Sequence, residues 1–172
     1  IPTHNRARMV REAIASVQAQ TFRDWELVVV DDGSCDDTAA VVQACAAEDP
    51  RIRLIQQPNL GLAEARNTGI RHSVGTYIAI LDDDDLWLPE KLELQIRCLE
   101  GPSRPGLCYT LTYNMDVASG RTYRCAPDHP GRTYTELFER NFIPCLSVVV
   151  RRDALEAVGG FDASVRPAED YD

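Results

Sequence analysis

The stretch YIAILDDDD, residues 77–85, joins an apolar run to four consecutive aspartates. A short run that is apolar on both faces is typical of a strand buried inside a parallel sheet. The same arrangement occurs earlier in the chain, where Leu27-Val28-Val29-Val30 precedes Asp31-Asp32. Ligands of parallel α/β sheets bind at the carboxyl ends of the strands. We therefore predict an α/β fold with two acidic segments at one edge of the sheet.

Helical periodicity surrounds these strands. Four apolar residues recur at i, i+3, i+4 and i+7 before the first run: Val10, Ala13, Ile14 and Val17. This spacing predicts one apolar helical face. Further helices are predicted over residues 37–48 and 61–73 and from Pro89 onward, with a short strand at 52–55. Helices that alternate with strands indicate a mostly parallel, Rossmann-like sheet covered by helices.

The pattern changes after residue 100. Glycine and proline cluster between Gly101 and Gly106, and the next seven residues, 107–113, alternate in polarity. This alternation predicts a strand with two different faces. Another strand is expected at 147–150, followed by a helix over 152–158. We thus expect a mixed C-terminal part within a single domain that spans residues 1–172.

The composition excludes several classes of protein. The chain has 172 residues and a formal net charge of -9 at pH 7. This acidic balance argues against a nucleic-acid partner, because nucleic-acid-binding proteins gather lysine and arginine on one face. The apolar stretches are far shorter than the roughly 20 residues that cross a bilayer, and no signal peptide is recognisable. We expect a soluble, cytoplasmic protein without a transmembrane segment, with the cytoplasmic face of the membrane as an alternative location.

Cysteine and histidine show no metal-binding pattern. Six scattered cysteines contain no CxxC pair: Cys35, Cys45, Cys98, Cys108, Cys125 and Cys145. We interpret them as reduced thiols. The isolated His4, His72 and His129 are interpreted as surface or packing residues and not as metal ligands.

The acidic run, Asp82 to Asp85, favours a cation. Adjacent carboxylates repel one another unless water or a cation relieves their charge. Mg2+ and Mn2+ prefer oxygen ligands, and Mg2+ takes only one or two protein carboxylates and completes its shell with water and substrate phosphates. The run therefore predicts a divalent metal with a phosphate-bearing ligand. A solvated turn that caps the helix near Pro89 is the alternative.

Three other polar segments carry candidate residues. Asp32 could accept a hydrogen bond from a base or ribose, although Asp-Gly turns are common in loops. Asn59 and Arg66 could bind phosphate or base edges, although Arg66 alone could be a surface arginine paired with Glu64. Glu169-Asp170 could supply a general base near a sugar donor, and in isolation it is only an acidic pair.

Five segments, taken in order, carry a resemblance to a known family: Pro2-Thr3-His4-Asn5-Arg6, Val30-Asp31-Asp32-Gly33-Ser34, Asn59-Leu60-Gly61 with Ala65-Arg66-Asn67, Leu81 to Asp85, and Glu169-Asp170. Together they closely resemble the motif series of family 2 glycosyltransferases with the GT-A fold, over the whole chain. The resemblance implies inverting transfer of a sugar from a nucleotide-diphosphate sugar to an acceptor hydroxyl. It implies a nucleotide-sugar-binding half, residues 1–100, and a partial acceptor-side half, residues 101–172.

The resemblance also implies roles for individual residues. The nucleotide-sugar-binding positions are Pro2, Thr3, Asn5, Asp32, Asn59, Arg66, Asp82 and Asp83. Asp84 matches the metal ligand of the D-x-D motif, with Mn2+ or Mg2+ as cofactor, and Asp170 matches the general base. The implied donor is a UDP-sugar, with dTDP and GDP open, and the acceptor is a glycan, lipid-linked or other hydroxyl. Asp85 has no implied role, and we predict that it caps the helix near Pro89.

Two rival functions stay open. A haloacid-dehalogenase-like phosphatase also places a D-x-D motif after a buried strand, although that family places it near the N-terminus. A non-catalytic nucleotide-binding domain would retain the fold without an acceptor site. An EF-hand is disfavoured, because the run lacks the spaced acidic loop and distal glutamate. The chain begins where an apolar strand is expected to end and stops where a helix could begin, so we expect truncation at both ends and poor activity of the truncated chain.

Overall fold

The computed structural model describes residues 1–116, 118–125 and 142–164. The strands are β1 Pro2–Thr3, β2 Leu27–Asp32, β3 Ile52–Gln57, β4 Tyr77–Ala79, β5 Leu107–Tyr109, β6 Thr112–Met115, β7 Thr122–Cys125 and β8 Val148–Arg151. The helices are α1 Ala7–Gln18, α2 Thr38–Glu48, α3 Leu62–His72, α4 Lys91–Leu99 and α5 Arg152–Val158, with a 3-10 turn at Cys145–Ser147.

A three-stranded parallel sheet in the order β1-β2-β3 forms the centre of the N-terminal half. β2 pairs with β3 along its whole length, and β1 pairs with the end of β2 through Thr3 opposite Asp31. All six residues of β2 are buried. The predicted apolar strand is therefore present, and it includes both Asp31 and Asp32 at its carboxyl end.

Helices cover both faces of β2, because its side chains alternate between the two faces. Val28 and Val30 pack with Ala65 of α3. Val29 lies in a larger core cluster with Val42 of α2 and with the buried stripe of α1, which is the predicted one. This burial on both faces explains why the strand is apolar throughout, and it confirms the α/β fold class.

A second sheet is antiparallel and has the order β4-β8-β5. Val150 of β8 lies opposite Ile78 of β4 on one side and Leu107 of β5 on the other. The strand predicted at 77–81 is thus shorter than expected, and its partner comes from the far end of the chain. The strand predicted at 107–113 is divided, because β6 pairs with β7 as a hairpin. The mixed C-terminal part is confirmed for the residues described.

The first turn of α4 is capped by a glutamine and not by an aspartate. Gln20, just after α1, is fully buried, and its Oε1 accepts a hydrogen bond from Leu92 N at 3.0 Å. Asp85 instead lies in a turn in which its own N–H donates to Asp82 O at 3.2 Å. The residue at the helix start makes no side-chain capping bond. The prediction that Asp85 caps this helix is wrong, because a distant side chain satisfies the first-turn donor.

The cysteine prediction is confirmed for the five cysteines whose side chains the structure describes. They are all free: Cys35, Cys45, Cys98, Cys108 and Cys145. Among the described residues, no helix combines the length and the apolar character that a membrane span requires.

Lys91 is an ionisable side chain buried at the start of α4. It is 9% exposed, its Nζ donates to Gln95 Oε1 at 2.7 Å, and it lies 4.2 Å from the centroid of the Trp87 ring. Gln95 in turn donates to the backbone oxygens of Cys108 and Ser147 and so joins α4 to the second sheet. Burial lowers the pKa of Lys91 from its usual 10.5 to about 7.

Replacing Lys91 by methionine is expected to remove a pH dependence of stability. The folded-state pKa lies below the unfolded-state value, so above about pH 7 the unfolded chain binds the Lys91 proton and the folded chain does not. The unfolding free energy therefore rises with pH, by about 2 kcal/mol between about pH 6.5 and 8.5. Urea unfolding should show this rise as the difference between the unaltered chain and Lys91→Met. Arg97→Met, whose side chain is 72% exposed on the same helix, is the control; parallel curves for all three proteins would contradict the assignment.

Candidate functional site

The ends of β1 and β2 and the acidic run after β4 meet at one edge of the fold. Thr3, at the end of β1, donates from Oγ1 to Asp83 Oδ2 at 2.7 Å across 80 residues of sequence. Pro2 is buried beside it, opposite Val30 of β2. Asp32 is the last residue of β2. The predicted residues of three separate motifs are therefore neighbours.

The Asp32 carboxylate is buried and binds the backbone that precedes α3. Its Oδ1 accepts from Leu60 N at 2.8 Å and from Gln57 Nε2 at 2.7 Å, and its Oδ2 accepts from Gly61 N at 2.9 Å. These N–H groups precede a helix, where a negative charge is favoured by the helix dipole. A carboxylate has about four lone-pair positions, so Asp32 retains capacity for a ligand hydroxyl.

Gly33 allows the loop after β2 to pass close to Asn59. Its φ is +81°, and a Cβ at this position would lie 2.8 Å from Asn59 N. Glycine adopts this left-handed conformation without steric cost and permits the close approach. Asn59 is therefore held beside the turn that follows Asp32.

His4 and Asn5 form a hydrogen-bonded chain along the same turn. His4 Nδ1 donates to the backbone oxygen of Asp32 at 2.9 Å, since a carbonyl oxygen can only accept. Asn5 Nδ2 donates to His4 Nε2 at 2.9 Å, and Asn5 Oδ1 accepts from Cys35 N at 2.7 Å, which sets the orientation of the amide. These partners assign the neutral, Nδ1-protonated tautomer to His4.

The amide of Asn59 covers one face of the His4 ring. Asn59 Nδ2 lies 3.5 Å from both ring nitrogens. An atom at this distance in the ring plane would collide with the carbon between the two nitrogens, so the amide lies above the ring. The His4 side chain is exposed. Its ring, held by two hydrogen bonds, offers a flat aromatic surface beside Asp32, of the kind on which bases stack.

Arg66 is a buried partner of the acidic run. Its side chain is 1% exposed, and its Nη2 donates to both carboxylate oxygens of Asp82 at 3.1 Å. Glu64 pairs with Arg71 instead. The alternative of a surface arginine paired with Glu64 is therefore wrong, because α3 turns Arg66 inward toward the sheet edge.

Asp83 and Asp84 share one cationic partner. Arg6 Nη1 donates to Asp83 Oδ1 at 2.9 Å and to Asp84 Oδ2 at 2.7 Å. The Asp83 side chain is 7% exposed, whereas the Asp84 side chain is 50% exposed. The alternative of a solvated acidic turn does not hold for Asp83, which is buried and bound by Thr3 as well.

The surroundings of Asp85 disfavour its negative charge. Burial raises the pKa of Asp85 to about 6, and the charges of Asp82, Asp84 and Asp83 add to the shift. In the part of the chain that the structure describes, no donor hydrogen-bonds to its carboxyl group. The run therefore carries more negative charge than Arg6 and Arg66 offset.

Asn67, next to Arg66, joins α3 to the turn after α5. Its Nδ2 donates to Phe161 O at 2.7 Å, and its Oδ1 accepts from Phe161 N at 3.0 Å. The Phe161 ring lies over the Arg66 guanidinium at 5.3 Å, a cation–π distance. Gly160 has φ +83°, and a Cβ there would lie 2.9 Å from Asn67 Oδ1. The turn thus packs against the arginine that binds Asp82.

The predicted general base lies outside the described residues. Glu169 and Asp170 belong to the segment 165–172, so their role stays a prediction. Within the described ranges, no group of three or more His, Cys, Asp or Glu side chains could hold a metal ion. Oxygens of Asp83 and Asp84 nevertheless converge on one positively charged nitrogen of Arg6. This donor set fits Mg2+, which needs only one or two protein carboxylates.

The sequence analysis did not select His4 and Arg6, which the structure places beside Asp32 and the acidic run. His4 was interpreted as a surface or packing residue, and Arg6 received no role although it belongs to a quoted motif. Both lie within three residues of the end of β1, at the same edge of the sheet as Asp32. Because ligands of parallel α/β sheets bind at the carboxyl ends of the strands, the position of these two residues after β1 would have selected them.

A cavity of about 550 Å3 lies between β2, α3 and β4. Of the candidate residues that the structure describes, Pro2 and Arg66 alone line it. The other lining side chains are mostly apolar, such as Val28, Ile78 and Val149. A charged nucleotide does not suit this lining. The candidate site is therefore the edge at which the ends of β1 and β2 meet the acidic run.

The family model described as Glycosyl transferase family 2 matches residues 1–159, which include both acidic segments and Arg66. The chain belongs to glycosyltransferase family 2. This assignment contradicts the haloacid-dehalogenase-like alternative, and it confirms the resemblance that the five motifs carry.

Three curated relatives of this family 2 chain differ in how much of it they match. The UDP-Glc:alpha-D-GlcNAc-diphosphoundecaprenol beta-1,3-glucosyltransferase WfgD of Escherichia coli is 33% identical over 160 residues, which cover 90% of this chain and 60% of WfgD. Chondroitin synthase of Escherichia coli is 31% identical over 100% of this chain and 25% of that protein. An uncharacterized glycosyltransferase of Rickettsia felis is 44% identical over 58% of this chain and 16% of its own length. The chain therefore spans less than two thirds of each of these relatives.

Solved structures share the fold. The mannosyltransferase PcManGT from Pyrobaculum calidifontis, in complex with GDP-Man and Mn2+, has a TM-score of 0.73 and 26% identity over 99% of this chain and 48% of its own. TarS of S. aureus, in complex with UDP, has a TM-score of 0.76 and 22% identity over 99% of this chain and 51% of its own. Both are GT-A-type glycosyltransferases, which confirms the GT-A fold of the family 2 chain.

Proposed function

We propose that this domain binds a nucleotide-diphosphate sugar at the strand-end edge and transfers the sugar to an acceptor hydroxyl with inversion. The observation that carries the proposal is the Thr3–Asp83 hydrogen bond, which joins the surface around Asp32 to the acidic run. The first surface has hydrogen-bonding and aromatic groups that suit a nucleoside. The second has exposed carboxylate oxygens that suit the cation of a diphosphate.

The nucleoside binds around Pro2, Thr3, Asn5 and Asp32 in this proposal. Asp32 accepts a hydrogen bond from the base or the ribose through its one remaining lone-pair position. The exposed His4 ring stacks against the base, an interaction worth about 1–3 kcal/mol per base in proteins that bind single-stranded nucleic acids. The hydrogen bonds of His4 to Asp32 and Asn5 support this role, because they hold the ring still before the ligand arrives.

The diphosphate lies beside the acidic run. Asp84 holds Mn2+ or Mg2+. Of the two carboxylates that bind Arg6, it is the more exposed one. The bound cation would act as a Lewis acid that stabilises the departing nucleotide. Asp82, oriented by Arg66, and Asp83 lie near the ribose or the metal-bound water. Asn59 approaches the nucleotide from the loop before α3.

Asp170 acts as the general base in this proposal. An inverting transfer is a single displacement at the anomeric carbon, so it needs a base for the acceptor hydroxyl and no covalent nucleophile. The resemblance of Glu169-Asp170 to the late acidic pair of the family supports this role.

A UDP-sugar is the donor that we propose, and a hydroxyl of a glycan or a lipid-linked sugar is the acceptor. Support comes from the name of WfgD, which specifies UDP-Glc and a GlcNAc-diphosphoundecaprenol acceptor, at 33% identity. GDP-sugars are the alternative, because PcManGT was solved with GDP-Man.

Titration with UDP tests the proposal. Ligand that binds only the folded state raises the melting temperature, so UDP with Mn2+ should stabilise the protein more than UDP alone. Asp84→Asn is expected to weaken Mn2+-dependent UDP binding by at least roughly 10- to 100-fold, because replacing a residue that merely orients a metal ligand already has that effect. Isothermal titration calorimetry measures the affinity.

Asp24→Asn is the matched control, because it removes one exposed carboxylate far from the strand-end edge. It should bind UDP and Mn2+ as the unaltered protein does. UDP affinity that is equal with and without Mn2+, or that survives Asp84→Asn, would contradict the metal assignment. UDP binding without any donor hydrolysis or transfer in the intact protein would favour the non-catalytic alternative.

A further inference from the structure

Arg6 holds two carboxylates with a single nitrogen. Its Nη1 makes both ion pairs, at 2.9 Å to Asp83 and 2.7 Å to Asp84. The other N–H groups of its guanidinium, on Nε and Nη2, make no hydrogen bond to any described residue. A guanidinium has five N–H donors in a planar fork that matches phosphate oxygens. Most of the binding capacity of Arg6 is therefore unused.

The backbone of Arg6 is fixed by its own hydrogen bonds, independently of the ion pairs of its side chain. Its N–H donates to Thr38 Oγ1 at 3.0 Å, and its carbonyl oxygen accepts from Val10 N at 3.0 Å in the first turn of α1. The Arg6 side chain is 46% exposed. The guanidinium can therefore change partners without a movement of the helix.

The two carboxylates that Arg6 binds are held unequally. Asp83 is buried and also accepts the hydrogen bond of Thr3 at 2.7 Å. Asp84 is half exposed, and Arg6 is its ion-pair partner among the described residues. Exposed ion pairs are weak, so the Arg6–Asp84 pair is the one that a competing cation can replace.

We propose that Arg6 is an exchangeable counter-ion of the donor site: it neutralises Asp84 before the donor binds, releases Asp84 to a divalent cation, and then binds the donor diphosphate. This inference rests on the proposed function. Asp83 holds Arg6 beside the run through the exchange. A phosphate group bound to that cation would accept hydrogen bonds from the Nε and Nη2 groups of Arg6, and hydrogen bonds between charged groups are strong.

Arg6→Met separates the two roles, because they predict effects of opposite sign. Mn2+ alone, measured by the EPR signal of free Mn2+, should bind about three- to tenfold more tightly, since a competing positive charge is removed. UDP at saturating Mn2+, measured by calorimetry, should bind about tenfold more weakly, since a charged contact to phosphate is lost. Uridine, which has no phosphate, should show an unchanged saturation-transfer NMR signal.

Arg8→Met is the matched control. Arg8 lies two residues further along, its side chain is 78% exposed, and it pairs with Glu12 on the same helix. It should change neither affinity. If Arg6→Met changes the Mn2+ and UDP affinities in the same direction, Arg6 only holds the acidic run in its conformation, and the exchange of partners is refuted. Unchanged affinities refute the exchange as well. If the unaltered protein binds neither Mn2+ nor UDP, the proposed function itself fails.

Discussion

Asp170→Asn is expected to slow sugar transfer by about 10² to 10⁴-fold, while the affinity for the donor stays unchanged. Asparagine has nearly the shape of aspartate, but its amide cannot take the proton of the acceptor hydroxyl. An inverting transfer has a single chemical step, so loss of the base in that step slows the whole reaction. The measurement is release of UDP from a UDP-sugar by the intact protein, with water or a glycan as acceptor, beside calorimetric titration with UDP.

Glu169→Gln is the control for this substitution, because it removes the same charge one position earlier. It should retain most of the transfer rate. Loss of UDP binding in Asp170→Asn would assign Asp170 to the donor site and refute its role as base. Transfer at the unaltered rate would also refute the role of Asp170 as base.

Asp32→Asn is expected to lower the free energy of unfolding by about 2–4 kcal/mol and to abolish measurable UDP binding. Both oxygens of Asp32 accept backbone N–H groups, from Leu60 on Oδ1 and from Gly61 on Oδ2. An asparagine amide must place its NH2 group against one of these donors, which leaves two buried donors facing each other. Urea unfolding gives the loss of stability, and calorimetry below the unfolding transition gives the loss of binding.

Asp31→Asn is the matched control at the neighbouring position of the same strand. Asp31 is equally buried, but only its Oδ1 accepts a backbone N–H, from Ser34 at 3.0 Å. Its Oδ2 faces the Gln56 amide at 3.4 Å, which can turn to accept from an asparagine. The expected cost is below about 1 kcal/mol. Equal destabilisation at the two positions would show that the loss of charge, and not the backbone contacts of Asp32, determines stability.

Elements with a strong local pattern could be predicted from the sequence. The stripe of Val10, Ala13, Ile14 and Val17 is buried in α1 as its spacing indicates, and β2 is buried on both faces. The position of Asp31 and Asp32 at the end of β2 followed from the apolar run before them. These patterns depend on neighbours within about four residues. The contacts that form a helical turn or set the alternation along a strand are equally close in sequence.

Predictions failed where a distant segment supplied the partner. β4 is shorter than the apolar run 77–81 and pairs with β8, which no local pattern identifies. Asp85 does not cap α4, because Gln20 reaches its first turn from α1. The local sequence limits which conformations and partners a segment can adopt, and tertiary packing selects one of them.

The sequence by itself determined the class of fold, the acidic strand ends and the motif series that places the chain in its family. Only the tertiary structure decided which charges meet: Arg66 with Asp82 across 16 residues, Arg6 with Asp83 across 77, and Thr3 with the same aspartate across 80. It also distinguished the buried Asp83 from the half-exposed Asp84 within one run of identical residues. The physical reason is that periodicity arises from contacts within one helical turn or strand. The electrostatic environment of a carboxylate depends instead on which remote segments the sheet and its helices bring within about 3 Å of it.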